Sequence, residues 1–155
     1  MDATILKNLT ERVGPNDDLW IIGDFAFGPK AKDNCYLEDI FAGLPGARKH
    51  LVVGNHDLEP TLNLNWDSVA HFVELRDGPK NQLNTLCHYP MMTWNHARRG
   101  ALQFFGHVHN NWLGSSNSVN AGVDVWDFAP VDFDEIAARA DSLPENSYWR
   151  EVEPN

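Results

Sequence analysis

The stretch Leu19-Trp20-Ile21-Ile22-Gly23-Asp24 has a counterpart in Leu51-Val52-Val53-Gly54-Asn55-His56-Asp57, and the two read together decide the fold. Each is a continuous apolar run closed by a glycine and followed by polar residues, as a strand buried on both faces would be where it feeds a loop. Between them, Tyr36-Leu37, Ile40-Phe41 and Leu44 fall at helical spacing before Pro45-Gly46 stops the pattern. Strand, helix and strand on short connections predict a right-handed crossover and a largely parallel sheet. Upstream, Ile5, Leu6, Leu9 and Val13 mark a first helix over 2–13, which Gly14-Pro15 ends.

Downstream the pattern becomes richer in strands. Residues 71–75, 82–88, 102–106 and 118–126 read as strands separated by Gly, Pro and Asn turns, and are expected to pair into a second sheet. An acidic first turn followed by Ile136, Ala137 and Ala140 predicts a closing helix over 132–140, and residues 143–155 a polar surface tail. No repeat or linker divides the chain, and 155 residues with 43% apolar content suit one core, so a single domain over 1–155 is expected.

A formal charge of -10, with only 12 Lys and Arg, disfavours binding of long nucleic acid. A small phosphorylated substrate stays compatible, because a bound cation reverses the local field. Cys35 and Cys87 are isolated and lack C-x-x-C spacing, which predicts reduced thiols. No apolar run reaches membrane-spanning length and the first residues lack a signal-peptide core, so a soluble, cytoplasmic protein without membrane partners is expected.

Chemistry is carried by four short motifs: Gly23-Asp24, Gly54-Asn55-His56-Asp57, His88-Tyr89-Pro90 and Gly106-His107-Val108-His109. Asp24 would project from a strand's carboxyl end, where open α/β sheets place ligands. The tight turn after Val53 carries an amide oxygen, an imidazole and a carboxylate, more than turn geometry requires. His88 ends a strand ahead of Pro90, while His107 and His109, two apart in an extended segment, would face one side. Such a mixed oxygen and nitrogen set suits Mn, Fe, Zn or Ni rather than Ca.

Through GDFAFG at 23–28, GNHD at 54–57, HYP at 88–90 and GHVH at 106–109, the chain resembles the calcineurin-like metallophosphoesterases over about residues 1–140. The segment Val119–Trp126 followed by Phe128-Ala129-Pro130-Val131 looks like that family's closing strand and turn. The resemblance implies an α/β/β/α sandwich of two mixed sheets flanked by helices. It implies that Asp24 bridges two divalent cations, that Asn55, His88 and His107 complete one shell, and that His109 binds the other cation. His56 would be the acid at the leaving oxygen or a phosphoryl contact, with Asp57 orienting its ring. Two cations would then clamp a phosphate and activate a water for in-line attack. A phosphodiesterase acting on small or cyclic nucleotides or similar diesters is favoured over a monoesterase, the loops being too short to grip a protein.

Family members begin with a strand carrying Asp-x-His, and none precedes Asp24 here. One central strand and two ligands are therefore expected to be lacking, leaving one tight cation site and one weak one. Among the other histidines, His50 and His71 are expected to be structural. His96 and Arg98, on a loop after His88, could contact phosphate, alongside Asn55. A lost strand would expose a sheet edge, a physical reason to form a homo-oligomer. The alternative to an enzyme is a truncated, impaired member that serves as a binding scaffold; a further alternative is that Met1 is internal to a longer protein. Most aromatic residues are expected in the core, with Phe25 and Phe27 flanking the metal loop and able to line an apolar pocket for a base or aryl group.

Overall fold

A computed structural model describes residues 2–153. The protein is α/β, with two sheets flanked by helices. The first sheet holds β1 (Asp18–Ile22), β2 (Arg48–Val52) and β3 (Ser68–Ala70) in that spatial order, all parallel among the described strands, as the strand-helix-strand pattern predicts. The second holds β4 (Phe72–Asp77), β5 (Gln82–Cys87), β6 (Gln103–Phe105) and β7 (Ser118–Asn120) in that order. It is mixed: β4 runs antiparallel to β5, and β5, β6 and β7 run parallel.

β1 shows why its sequence is uninterrupted in apolar residues. Its side chains alternate between two faces: Leu19 and Ile21 pack with Leu9 of α1 (Asp2–Arg12) and with Leu44, whereas Trp20 and Ile22 join the larger core. In that core Leu86, Phe104 and Val119, matched in register across β5, β6 and β7, line one face of the second sheet. Val52 of the first sheet and Ile136 and Ala140 of α4 (Phe133–Ser142) close on it. The two sheets thus share one interior, consistent with a single folding unit. α2 (Asn34–Ala42) begins on Asp33, whose side chain accepts from the Tyr36 amide, and buries Leu37 against Ala26 and Ala31.

The opposite face of the second sheet is buried but polar. Thr85, Gln103 and Ser118 lie in register there, and Gln103 reaches past the sheet to the chain that follows His88. Its Nε2 donates to the Tyr89 carbonyl at 3.2 Å, and its Oε1 accepts from the Met91 amide at 3.3 Å.

Several boundaries differ from expectation for local reasons. The strand expected over 71–75 is β4, which starts at Phe72 and runs on to Asp77; β3 was not expected, and exposed His71 separates the two. β7 ends at Asn120 instead of running to Trp126, because the Asn120 side chain replaces the ladder. Its Nδ2 donates to the His109 and Trp112 carbonyls and its Oδ1 accepts from the Gly122 amide. A one-turn helix, α3 (Glu59–Leu62), is too short for periodicity to reveal. The expected tail extends past the described residues at 154 and 155; within them α5 (Trp149–Val152) sets Trp149 against Trp94, ring centres 5.8 Å apart. That segment is therefore docked. Among the described residues, no helix is long and apolar enough to cross a membrane.

Candidate metal centre

Four loops leave the carboxyl ends of β1, β2, β5 and β6, and each delivers one polar side chain to the same place: Asp24, Asn55, His88 and His107. Ligand atoms of Asp24, His88 and His107 all lie within 4.8 Å of one another, and Asn55 Oδ1 is 3.2 Å from His88 Nε2. Donors held about 2.1 Å from one cation stand up to about 4.2 Å apart; the His88 Nε2 spacings of 3.2 Å to Asn55 and 3.3 Å to Asp24 fall within that, and the 4.8 Å bound of the group lies slightly outside it, so small side-chain shifts would close it on an ion.

The loops approach because two positions carry no side chain. Gly23 has φ +80°, and a Cβ there would run into the His88 ring and come within 2.8 Å of the Gly54 Cα. A Cβ at Gly54 would strike the Asp24 carboxylate and stand 2.6 Å from its amide nitrogen. Asp24 itself is left-handed, at φ 57°, a strained setting for a residue with a side chain. What holds it is Asp57, which is buried and whose carboxylate accepts from three amides: Asp24 at 2.9 Å, Phe25 at 2.8 Å and Gly54 at 2.8 Å. Asp24 reciprocates, its Oδ1 accepting from the His56 amide at 2.8 Å. The expected role of Asp57 in orienting the His56 ring is thereby corrected: its oxygens stitch the two loops together. The exposed His56 ring instead meets Phe27 edge to face, with centres 4.7 Å apart.

His88 is buried and oriented from behind. Its Nδ1 lies 2.9 Å from the Ile22 carbonyl, which can only accept, so Nδ1 carries the proton and Nε2 is directed at Asn55 Oδ1 and, 3.3 Å away, at Asp24 Oδ2. A ligating histidine fixed through its other nitrogen by a carbonyl is the arrangement metal sites use to select the tautomer. Without a cation, a nitrogen lone pair and two oxygens would face one another; a divalent ion between them satisfies all three, so the residues fit such an ion.

His109 does not join this group. β6 stops at Phe105, and His107 and His109 have φ of 61° and 51°, so the H-x-H segment is a turn entering a short 3-10 helix, not the extended strand expected. The His109 Nδ1 lies 3.1 Å from Asp124 Oδ2, on an exposed side chain. Asp124 was not anticipated as a site-adjacent group, and only its place in a segment expected to be strand hid it. The other two expected substrate contacts are also displaced. Arg98 pairs with Glu153 at 2.5 Å, Thr93 binds the same carboxylate, and His96 caps the short 3-10 helix Ala97–Arg99 in a left-handed conformation. Phe25 turns inward, meeting Trp66 edge to face at 5.3 Å, so Phe27 alone of that pair stays at the surface.

Compared with known proteins, the chain matches no family model. It is similar to the Gene 66 protein of Mycobacterium phage D29, 28% identical over 160 aligned positions that cover 84% of this chain and 79% of that protein. The Gene 66 protein of Mycobacterium phage L5 is 24% identical over 155 positions, covering 81% and 74%. Among solved structures, a protein of unknown function from Aquifex aeolicus superposes with a TM-score of 0.68 and 28% identity, over 89% of this chain and 84% of that one. The two-sheet architecture with its flanking helices is thus one that an experimentally solved protein also adopts.

Proposed function

We propose that the protein is a divalent-metal-dependent phosphoesterase of the metallophosphoesterase type, acting on small phosphodiesters such as small or cyclic nucleotides. One observation carries the reading: Asp24, Asn55, His88 and His107 converge from four strand ends, with His88 held by the Ile22 carbonyl so that its free nitrogen faces the two oxygens. Manganese, iron, zinc or nickel suits this donor set. A cation there would supply Lewis-acid polarisation of a phosphoryl oxygen and lower the pKa of the attacking water. The residues do the rest. Asp24, Asn55, His88 and His107 would hold the cation, and Asp57 keeps the loops of Asp24 and Asn55 together. Exposed His56, whose amide is anchored on Asp24, is available to protonate the leaving oxygen. His109, backed by Asp124, is the residue around which a second, weaker cation would bind.

The test is hydrolysis of bis-p-nitrophenyl phosphate and of cyclic nucleotides by manganese-loaded protein. Turnover that falls by two orders of magnitude or more in His56→Ala, about the contribution of a positioned acid, is expected. Absence of turnover on every diester, with His56→Ala indistinguishable, would overturn the proposal. A second reading, a metal-bound scaffold without turnover, draws on the separation of His109 from the four-residue group. Two cations per chain, or turnover with one, removes it.

A further inference from the structure

Two aromatic rings stand in solvent beside the metal centre, and their exposure is not a product of loose chain. Phe27 is 71% exposed, yet Ala26 before it and Ala31 after it are buried, and Pro29 stiffens the turn between. Tyr89 is 45% exposed, yet its carbonyl is clasped by Gln103 inside the second sheet. Each ring touches the histidines of the site. Phe27 meets His56 at 4.7 Å, and Tyr89 meets His107 at 4.6 Å and His88 at 5.1 Å.

A single exposed aromatic residue means little; here two stand on rigid backbone, one against His56, whose amide is bonded to Asp24, and the other against His88 and His107. Charge argues for what they bind. The chain carries -10, and Arg98, on the loop that follows His88, is engaged by Glu153. With Arg98 taken up by Glu153, uncharged contact adds to the affinity that the metal gives an anionic ester. Flat π-faces supply that for a planar group.

We propose that Phe27 and Tyr89 are specificity-determining residues that receive a planar aromatic substituent of the phosphoester, an aryl ring or a nucleobase. This rests on the phosphoesterase reading and narrows it to esters with such a group; simple alkyl and sugar phosphates are poor ligands. The aromatic contacts act on the part of the substrate remote from phosphorus, so they bear on affinity and discrimination and not on the attack itself.

Calorimetric titration of manganese-loaded protein with matched ligand pairs tests this without depending on leaving-group reactivity. Phenylphosphonate against cyclohexylphosphonate isolates flatness, and AMP against ribose 5-phosphate isolates a nucleobase. The flat member of at least one pair is expected to bind about tenfold more tightly. Phe27→Ala and Tyr89→Ala should each erode that preference, and the double variant should abolish it, while Tyr89→Phe keeps it. Preference in the first pair assigns a simple aryl ester, and preference in the second alone a nucleotide. Equal affinities within both pairs, or a preference that survives the double variant, overturn the proposal and leave the phosphoesterase reading intact. If none of the four ligands binds although the diesters are turned over, this proposal is overturned; if manganese is not retained, the underlying reading fails instead.

Discussion

Asp57 carries more of the site than its place beside His56 suggests. Three backbone amides end on its buried carboxylate, and removing it strands all three donors, the Gly54 amide within a buried contact. Asp57→Ala is expected to cost about 3 kcal/mol of stability in urea unfolding, since each stranded buried donor costs about 1–3 kcal/mol and local relaxation recovers part. It should also weaken manganese binding, because the Asp57 carboxylate holds the Asp24 backbone without facing the cation itself. Gly54→Ala tests the close approach itself: the added methyl would strike the Asp24 carboxylate, so cation affinity should fall at least tenfold in calorimetry, and unchanged affinity would refute the packing argument. Identities and order of Asp24, Asn55, His88 and His107 were legible in the sequence because each directly follows an apolar run. What was illegible was backbone-borne. Nothing in the letters of Asp57 says that amides will claim both its oxygens, and the left-handed φ at Asp24, His107 and His109, though commoner for Asp and His than for most residues, is not fixed by residue type.

At the level of elements, the crossover from β1 through α2 to β2 was readable, since buried parallel strands and an amphipathic helix have distinct periods. The strands after it were readable as existing but not in extent. β6 and β7 are three residues each, and side-chain bonds from Asn120 end one of them early. α1 and α4, distant in sequence, are joined by Arg12 and Glu135 at 2.6 Å. The Arg12 hydrogen bond holds the Glu135 carboxyl below the usual glutamate range, aided by the Asp132 amide within the capping box of α4. A carboxyl depressed on folding stabilises above its unfolded pKa and loses that contribution as pH falls through the folded value. The pair should therefore contribute at neutral pH and fade below about pH 4. Both partners are more than a third exposed, so screening limits the effect to about 0.5 kcal/mol. Arg12→Gln should lower stability by about that amount at pH 7 and by less at pH 3, which a pair of urea denaturation series would resolve.

For the whole molecule, a cation bound as proposed would be a linkage partner. The four side chains that would hold it come from both sheets: Asp24 and Asn55 follow β1 and β2, while His88 and His107 follow β5 and β6. An ion held between the sheets binds the folded chain and not the unfolded one, so manganese at a hundred times its dissociation constant should add about 2.7 kcal/mol and raise the melting temperature. His88→Ala should abolish that rise, and a melting curve indifferent to manganese in the unaltered protein would contradict it. That the sheets would close around a shared site was implied by the motif order, but their joint core was not, because Trp20, Val52 and Phe104 meet only in three dimensions. The most direct measurement is anomalous scattering from crystals of the manganese- or zinc-loaded protein, recorded at the edge of that metal. The account predicts a peak bounded by Asp24, Asn55, His88 and His107, with bond lengths of about 2.0–2.2 Å; a loaded crystal with no peak there, or with its peak elsewhere, would contradict it.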